Sequence, residues 1–311
     1  MISTPYYPSE DEKLRASSIA RRRGGNCPNT LEVLQQLTRN TPSGQELPLH
    51  LVSVLPARSS IASQRIRSTL EPHVQLDHCI YRENFQEPAS SYIIKGELSG
   101  SRTIVNYNDL PEMTVDEFVT IADILGHQAA WFHFEGRMPD VTLQCIQHLR
   151  KEVPSVRISV EVEKPGRPGL QELAEEADVV FYSKTWAQAS NSNCGYTSAL
   201  ECLSDQSERT PKASLLCCTW GQDGAGVFDR ATGSVLHKPA YELSARALQV
   251  VDTVGAGDTF IAGMLYALNC KEQEWSVADK LLFAIWIAGA KVSQEGFSGL
   301  GQRCLLEWNT E

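Results

Sequence analysis

The stretch Ala129–Glu163, "AAWFHFEGRMPDVTLQCIQHLRKEVPSVRISVEVE", reads as strand, helix, strand. "AAWFHFEG" is a short apolar run closed by a glycine. "PDVTLQCIQHLRKE" opens on a proline and spaces its apolar residues as a helix does, and "VRISVEVE" is a second strand run. The rhythm continues downstream through the helix "GLQELAEEA", the strand "DVVFYSK", a helix-like turn and the strand "SLLCCTW". Upstream, "TVDEFVTIADILG" carries Val115, Phe118, Ile121, Ile124 and Leu125 at helical spacing and stops on Gly126. Before it, "PLHLVSVL" reads as a strand and "NTLEVLQQL" as a short helix. Strands alternating with helices predict a doubly wound α/β fold, a mostly parallel sheet covered by helices on both faces. "GVFDRATGSVLHK" breaks the pattern as an antiparallel hairpin turning at Ala231-Thr232-Gly233. The stretch "SNSNCGYTSALECLSDQSERTPK" reads as a surface connection around a short helix.

The chain has 311 residues, 42% of them apolar and 21% charged, with a net charge of −10. That balance excludes a general nucleic-acid binder, which needs clustered Lys and Arg for phosphate contacts. The triplet Arg21-Arg22-Arg23 reads as a solvated strand or loop end. Nine cysteines are scattered without a Cys-x-x-Cys pair, and the seven histidines show no metal-ligand spacing. Buried free thiols in a reducing compartment are therefore expected rather than a disulfide frame or a zinc site. "MISTPYYPSEDEKLR" is too polar for a signal peptide, and "LLFAIWIAGA" is too short to cross a bilayer. A cytoplasmic location is expected by elimination.

The run "VVDTVGAGDTF", Val250–Phe260, places a glycine turn before a helix whose stripe is Phe260, Ile261, Met264, Leu265 and Leu268, with a strand-like "LQVV" feeding it. The first backbone N–H groups of a helix lack intrahelical partners and carry the positive end of its dipole. Glycines let those groups converge on an anion. A carboxylate beside such an anion is repelled unless its task is to take a proton. Asp258, held ionised by the helix start, then reads as a general base toward a hydroxyl, with the amides stabilising the group in transfer. A plain helix cap with a tight turn fits the same residues. No Walker A ending follows, and a dinucleotide fingerprint would need a third glycine where Phe260 stands.

"DTVGAGDTF" resembles the C-terminal signature of the ribokinase-like (PfkB) carbohydrate kinases. "RRRGGNCPNT", "SGSRTI", "FEGR", "SVEVEKP", "DVVFYSK" and "GFSGL" resemble segments of its ketohexokinase branch, in the same order from about Tyr7 to Leu300. The resemblance implies a doubly wound α/β kinase domain over residues 1–311. It also implies a small β-sheet lid, near residues 5–24 and 90–110, that closes a homodimer. The implied reaction is ATP-dependent phosphorylation of the fructose 1-hydroxyl with Mg²⁺ and a stimulating K⁺. Asp258 matches the base, and Gly255, Ala256 and Gly257 match the anion hole. Gly25, Asn26 and Asn29 match positions contacting sugar hydroxyls, and Arg102 matches an arginine near the sugar and the transferred phosphate. Trp220, Gly221 and Gly224 match the nucleotide-side loop. Ala288 and Gly289 are small enough to leave room for adenine on a helix that reads equally as plain core. Lys184 is in reach of phosphate in this scheme, and Glu135 and Glu161 end strands on the active-site side.

Two departures accompany the resemblance. The place of an Asn-x-x-Glu motif after "DVVF" reads "SKTWA", which leaves the metal ligands unassigned. Family members also carry a strand before the lid, with an aspartate that holds sugar hydroxyls, and no residue near Asp11 matches it. Two alternatives therefore stand beside the ketose kinase. One is another sugar or nucleoside kinase of the same family; the other is an N-terminally truncated, catalytically impaired homologue that binds nucleotide or partners.

Overall fold

Six strands line up in the order Ser234–Lys238, Ala225–Asp229, Leu215–Thr219, Val179–Ser183, Arg157–Val162 and Trp131–Glu135. The last four are mutually parallel, with Arg157 opposite Trp131, Ser159 opposite Val179 and Val179 opposite Leu215. The other two form the expected antiparallel hairpin at the sheet's far side. The computed structural model describes residues 1–39, 47–126, 128–190, 195–240 and 250–308, and these divide into two compact units. The six-stranded sheet belongs to the unit made of Asn26–Leu49 and Thr114–Glu311. Val160, Val162, Val179, Val180, Leu216 and Cys218 are fully buried in it, as strands covered on both faces must be.

The helices of this unit begin where the sequence supplies caps. Thr114 and Glu117 form a reciprocal capping box ahead of Val115–Leu125, and Ser276 and Asp279 do the same for Val277–Val292. Pro139 opens Pro139–Glu152, where its missing N–H costs nothing. The helix Ala256–Cys270 crosses Val277–Val292 closely: a Cβ on Gly263 would meet Ala284 Cα at 2.9 Å. Met264, Ala267, Ala284 and Ile287 are buried along the two helices. Trp275, Phe283, Trp286 and Trp308 extend the core as an aromatic cluster with ring centroids 5.1 to 6.2 Å apart.

The second unit comprises Met1–Gly25 and His50–Met113. Its main sheet runs Ser18–Ile19, Ile2–Thr4, Ser90–Gly96, Arg102–Tyr107. One outer strand, Arg102–Tyr107, is exposed along its whole length. The run expected as one strand, "PLHLVSVL", breaks into Leu49–His50 and Val54–Pro56. Its parts serve different partners: the Leu51 N–H donates to Gln75, whereas Val54–Pro56 pairs with Ile80–Arg82. The helix expected to start at Asn29 starts at Asn26, with Pro28 tolerated in its first turn. Of the feeding run "LQVV", Leu248 and Gln249 lie outside the described residues, as do Asn191–Cys194 of the surface connection. Val250 and Val251 are loop, not strand; the Val251 N–H donates to Val292 O. Among the described residues no helix is long and apolar enough to cross a membrane.

Candidate active site

Gly255 caps the helix Ala256–Cys270 in the left-handed region, at φ 83°. A Cβ there would sit 2.3 Å from Phe297 Cζ, so glycine is required twice over, by conformation and by space. Gly257 differs: a Cβ on it would meet nothing within 4 Å, so open space faces this residue. The first intrahelical bond is Thr259 N–H to Gly255 O, which leaves the three preceding amides outside the helical ladder. Ala256 N–H closes a long turn bond to Thr253 O, 3.3 Å, which an arriving anion would have to displace.

Asp258 is half-buried in the first helical turn. Asn29 Nδ2 donates to its Oδ2 at 2.7 Å, and Thr30 Oγ1 donates to its backbone carbonyl at 3.2 Å. The helix Asn26–Thr38 thus presents Asn29 and Thr30 to the reactive turn from one face. The carboxyl is not held ionised by the helix start as expected. Burial, followed by the Glu161 carboxylate, pushes its pKa up to about 8 against the lowering effect of the Asn29 bond, with Glu163 and Glu135 adding to the rise. Burial disfavours the charged form first, and the three neighbouring carboxylates add to it.

Those carboxylates have their own partners. Asn26 Nδ2 donates to Glu161 Oε2 at 2.8 Å and to Glu163 Oε2 at 3.0 Å, which fixes the amide's orientation because a carboxylate only accepts. His133 lies 3.0 Å from Glu161 Oε1 through Nε2 and 2.8 Å from Ser159 Oγ through Nδ1. Trp131 Nε1 donates to the same Ser159 oxygen at 2.8 Å. A neutral imidazole satisfies every atom of this chain: Ser159 donates to Nδ1 and Nε2–H donates to Glu161. Burial pushes Glu135 up, with Glu161 adding to it, and burial pushes the Cys27 thiol well up. Ligand atoms of Cys27, His133 and Glu161 lie within 4.8 Å of one another, a set with donors for a soft divalent ion. The hydrogen bonds already made by His133 and Glu161 identify it as a relay holding Asn26. Sequence reading picks out Asn26 and Glu161 separately and misses His133 and Cys27, because no motif spacing joins residues so far apart along the chain.

On the loop after Leu215–Thr219, Trp220 is buried and its backbone N–H donates to Gly224 O at 2.7 Å. Gly224, at φ 93°, is needed by the chain itself, since a Cβ would strike Lys238 O at 2.1 Å. Gly221, at φ 66°, faces open space as Gly257 does. Lys184 Nζ lies 3.4 Å from Asp223 Oδ2 and 5.5 Å from the centre of the Trp220 ring. Ala288 and Gly289 are half-exposed between buried Ile287 and Ala290, so they are not plain core. Gly25, at φ 98°, and Arg102, exposed on its strand, lie in the other unit.

The model of the pfkB family carbohydrate kinases matches residues 2–300. The chain belongs to the pfkB family of carbohydrate kinases. Mouse ketohexokinase is 32% identical over 302 residues, covering 94% of this chain and 92% of the mouse protein. Among solved structures, Giardia lamblia ribokinase superposes with a TM-score of 0.77 at 17% identity, covering 99% of this chain and 95% of that one. Arabidopsis thaliana ribokinase, solved with ribose and ATP, gives 0.74 at 20% identity over 98% and 93% of the two chains. These likenesses confirm the ribokinase fold and an ATP-dependent sugar kinase.

For a pfkB kinase that takes a hydroxyl proton, the raised pKa of Asp258 has a measurable consequence. The ionised form of Asp258 accumulates as pH rises through about 8. Stability moves the other way. From the ordinary carboxylate pKa near 4 up to about 8, the folded state keeps a proton that the unfolded chain has lost, so stability falls as pH rises across that window. Glu161→Gln removes the largest neighbouring charge. It is expected to shift the alkaline-rising limb of kcat/KM to lower pH by about half a unit or more, as read from initial rates between pH 6 and 9. A limb that does not move would separate Glu161 from Asp258.

Proposed function

We propose that this pfkB kinase transfers the γ-phosphoryl group of ATP to the 1-hydroxyl of a ketohexose, D-fructose, giving fructose 1-phosphate. The observation that carries the reading is the placement of a carboxyl and open first-turn amides at one helix start, with Asn29 bonded to the carboxyl from an adjacent helix. Asp258 takes the hydroxyl proton as the hydroxyl oxygen forms its bond to the γ-phosphorus. The bond from phosphorus to the bridging oxygen breaks, and ADP leaves with that electron pair. The amides at Gly255, Ala256 and Gly257 stabilise charge on the group in transfer. Asn26 and Asn29 read the sugar hydroxyls. Trp220, Gly221, Gly224, Lys184, Ala288 and Gly289 border the nucleotide.

Mg²⁺ neutralises phosphate charge when it accompanies ATP, and it takes hard oxygen donors. The crowded carboxylates suit such an ion, and half-buried Glu163 beside Asn26 is the residue that would hold it. We assign no residue to K⁺. One face of the second unit's sheet exposes Ile19, Tyr92, Val105 and Tyr107, an apolar face that fits the homodimer expected from the resemblance. The eight described cysteines are free, as suits a cytoplasmic protein.

The test is ADP release with a panel of acceptors: fructose, ribose, adenosine and fructose 6-phosphate. Fructose is expected to give the highest kcat/KM by about tenfold or more, because a site built to bond each hydroxyl rejects analogues that leave a partner unpaired. Higher turnover with ribose or adenosine would move the assignment within the family. ATP binding by calorimetry without turnover of any acceptor would favour the impaired homologue.

A further inference from the structure

Lys291, in the last turn of Val277–Val292, is completely buried. A buried ammonium persists only when its three donors are satisfied. Lys291 Nζ meets Asp252 O at 3.0 Å, Asp252 Oδ2 at 3.1 Å and Gln294 O at 3.4 Å, and it stands 5.3 Å from the centre of the Phe297 ring. Every one of these groups borders the reactive turn. Asp252 begins that turn: its Oδ1 accepts from Val254 N–H at 3.1 Å and its Oδ2 from Gly296 N–H at 3.4 Å. Asp252 N–H also donates to Val292 O, one residue beyond the lysine. Phe297 is the ring against which Gly255 packs. The ammonium therefore lies beneath the turn that carries the open amides and joins its first residue to the loop that backs it.

We propose that Lys291 is a positioning residue for phosphoryl transfer: through Asp252 and the Gln294–Phe297 loop it fixes the Asp252–Gly257 turn, so that the helix-start amides are set for the transferred group before substrate arrives. The inference rests on the sugar-kinase reading of the site. With no exposed surface, Lys291 acts indirectly, on the transition state, where prearranged amides count most. Its removal should therefore appear in kcat rather than in ground-state binding.

Lys291→Met keeps the stem and removes the charge, but it leaves the half-buried Asp252 without its cation. The double variant Lys291→Met/Asp252→Asn removes both charges, and its stability is the decisive one to measure. With wild type turning over sugar in the same assay, the double variant is expected to unfold within a few degrees of wild type. Its kcat should be lower by about tenfold or more, with the sugar KM changed by less than about threefold. The amide resonance of Gly257 should shift, and that of Gly233, in the distant hairpin, should not. A double variant with wild-type kcat, a loss carried wholly by KM, or an unmoved Gly257 amide would each overturn the proposal. A wild type without sugar-dependent ADP release would instead sink the underlying kinase reading, independently of Lys291.

Discussion

Asp258→Asn is expected to lower kcat by about 10²–10⁴-fold, the range over which a positioned base acts. The amide is nearly isosteric, so Asn29 and Thr30 keep their places and the sugar KM should change little. Stability supplies a second readout with the opposite sign. The ionised carboxylate is disfavoured by burial and by Glu161, Glu163 and Glu135. A neutral Asn escapes that cost, so the variant should be at least as stable as wild type above pH 8 and should lose the alkaline-rising limb of kcat/KM. Rates and thermal unfolding between pH 6 and 9 check both statements. A variant that retained wild-type turnover would remove Asp258 from the chemistry.

The two glycines of the turn should respond in different ways. Gly255→Ala places a Cβ 2.3 Å from Phe297 Cζ on a backbone at φ 83°. It is expected to cost about 1–3 kcal/mol of stability through strain alone, along with activity. Gly257→Ala meets no atom of the protein within 4 Å, so its melting temperature should stay within about 2 °C of wild type. The methyl group does intrude on the open space the first-turn amides face, and kcat should fall by about 10²-fold. Stability lost at Gly255 with activity lost at both positions is the pattern of a turn shaped for a ligand. A fully active Gly257→Ala would mean that no group approaches there.

Long elements with clear periodicity were legible in the sequence. Val115–Leu125 has a capping box and Pro139–Glu152 opens on a proline, and both carry apolar stripes that local chemistry is enough to place. The parallel strands follow from apolar runs that only a doubly covered sheet can bury. Short elements were not legible, because their partners decide them: "PLHLVSVL" is cut in two by hydrogen bonds to segments some 25 residues away. At the site, a helix start with glycines and a carboxylate announces itself locally, which is why the sequence singles out Gly255, Gly257 and Asp258. The ionisation state of Asp258 was misread from that same local view, because Glu161, Glu163 and Glu135 come from other strands and act through space. Lys291 and His133 carry no motif, and only the fold shows what they face.

The bond from Asn29 to Asp258 Oδ2 gives the base a handedness. A free carboxylate offers two equivalent oxygens, and here one is already spoken for by the neighbouring helix. With Asp258 as the proposed base, the proton of an incoming hydroxyl is expected at the less occupied Oδ1, at one end of the carboxyl group. A sugar whose reactive hydroxyl points to the other side could bind with all its remaining hydroxyls matched and still leave its proton with nowhere to go. Discrimination between epimers at this site can thus arise at the moment of proton transfer, through a single amide that fixes which oxygen listens.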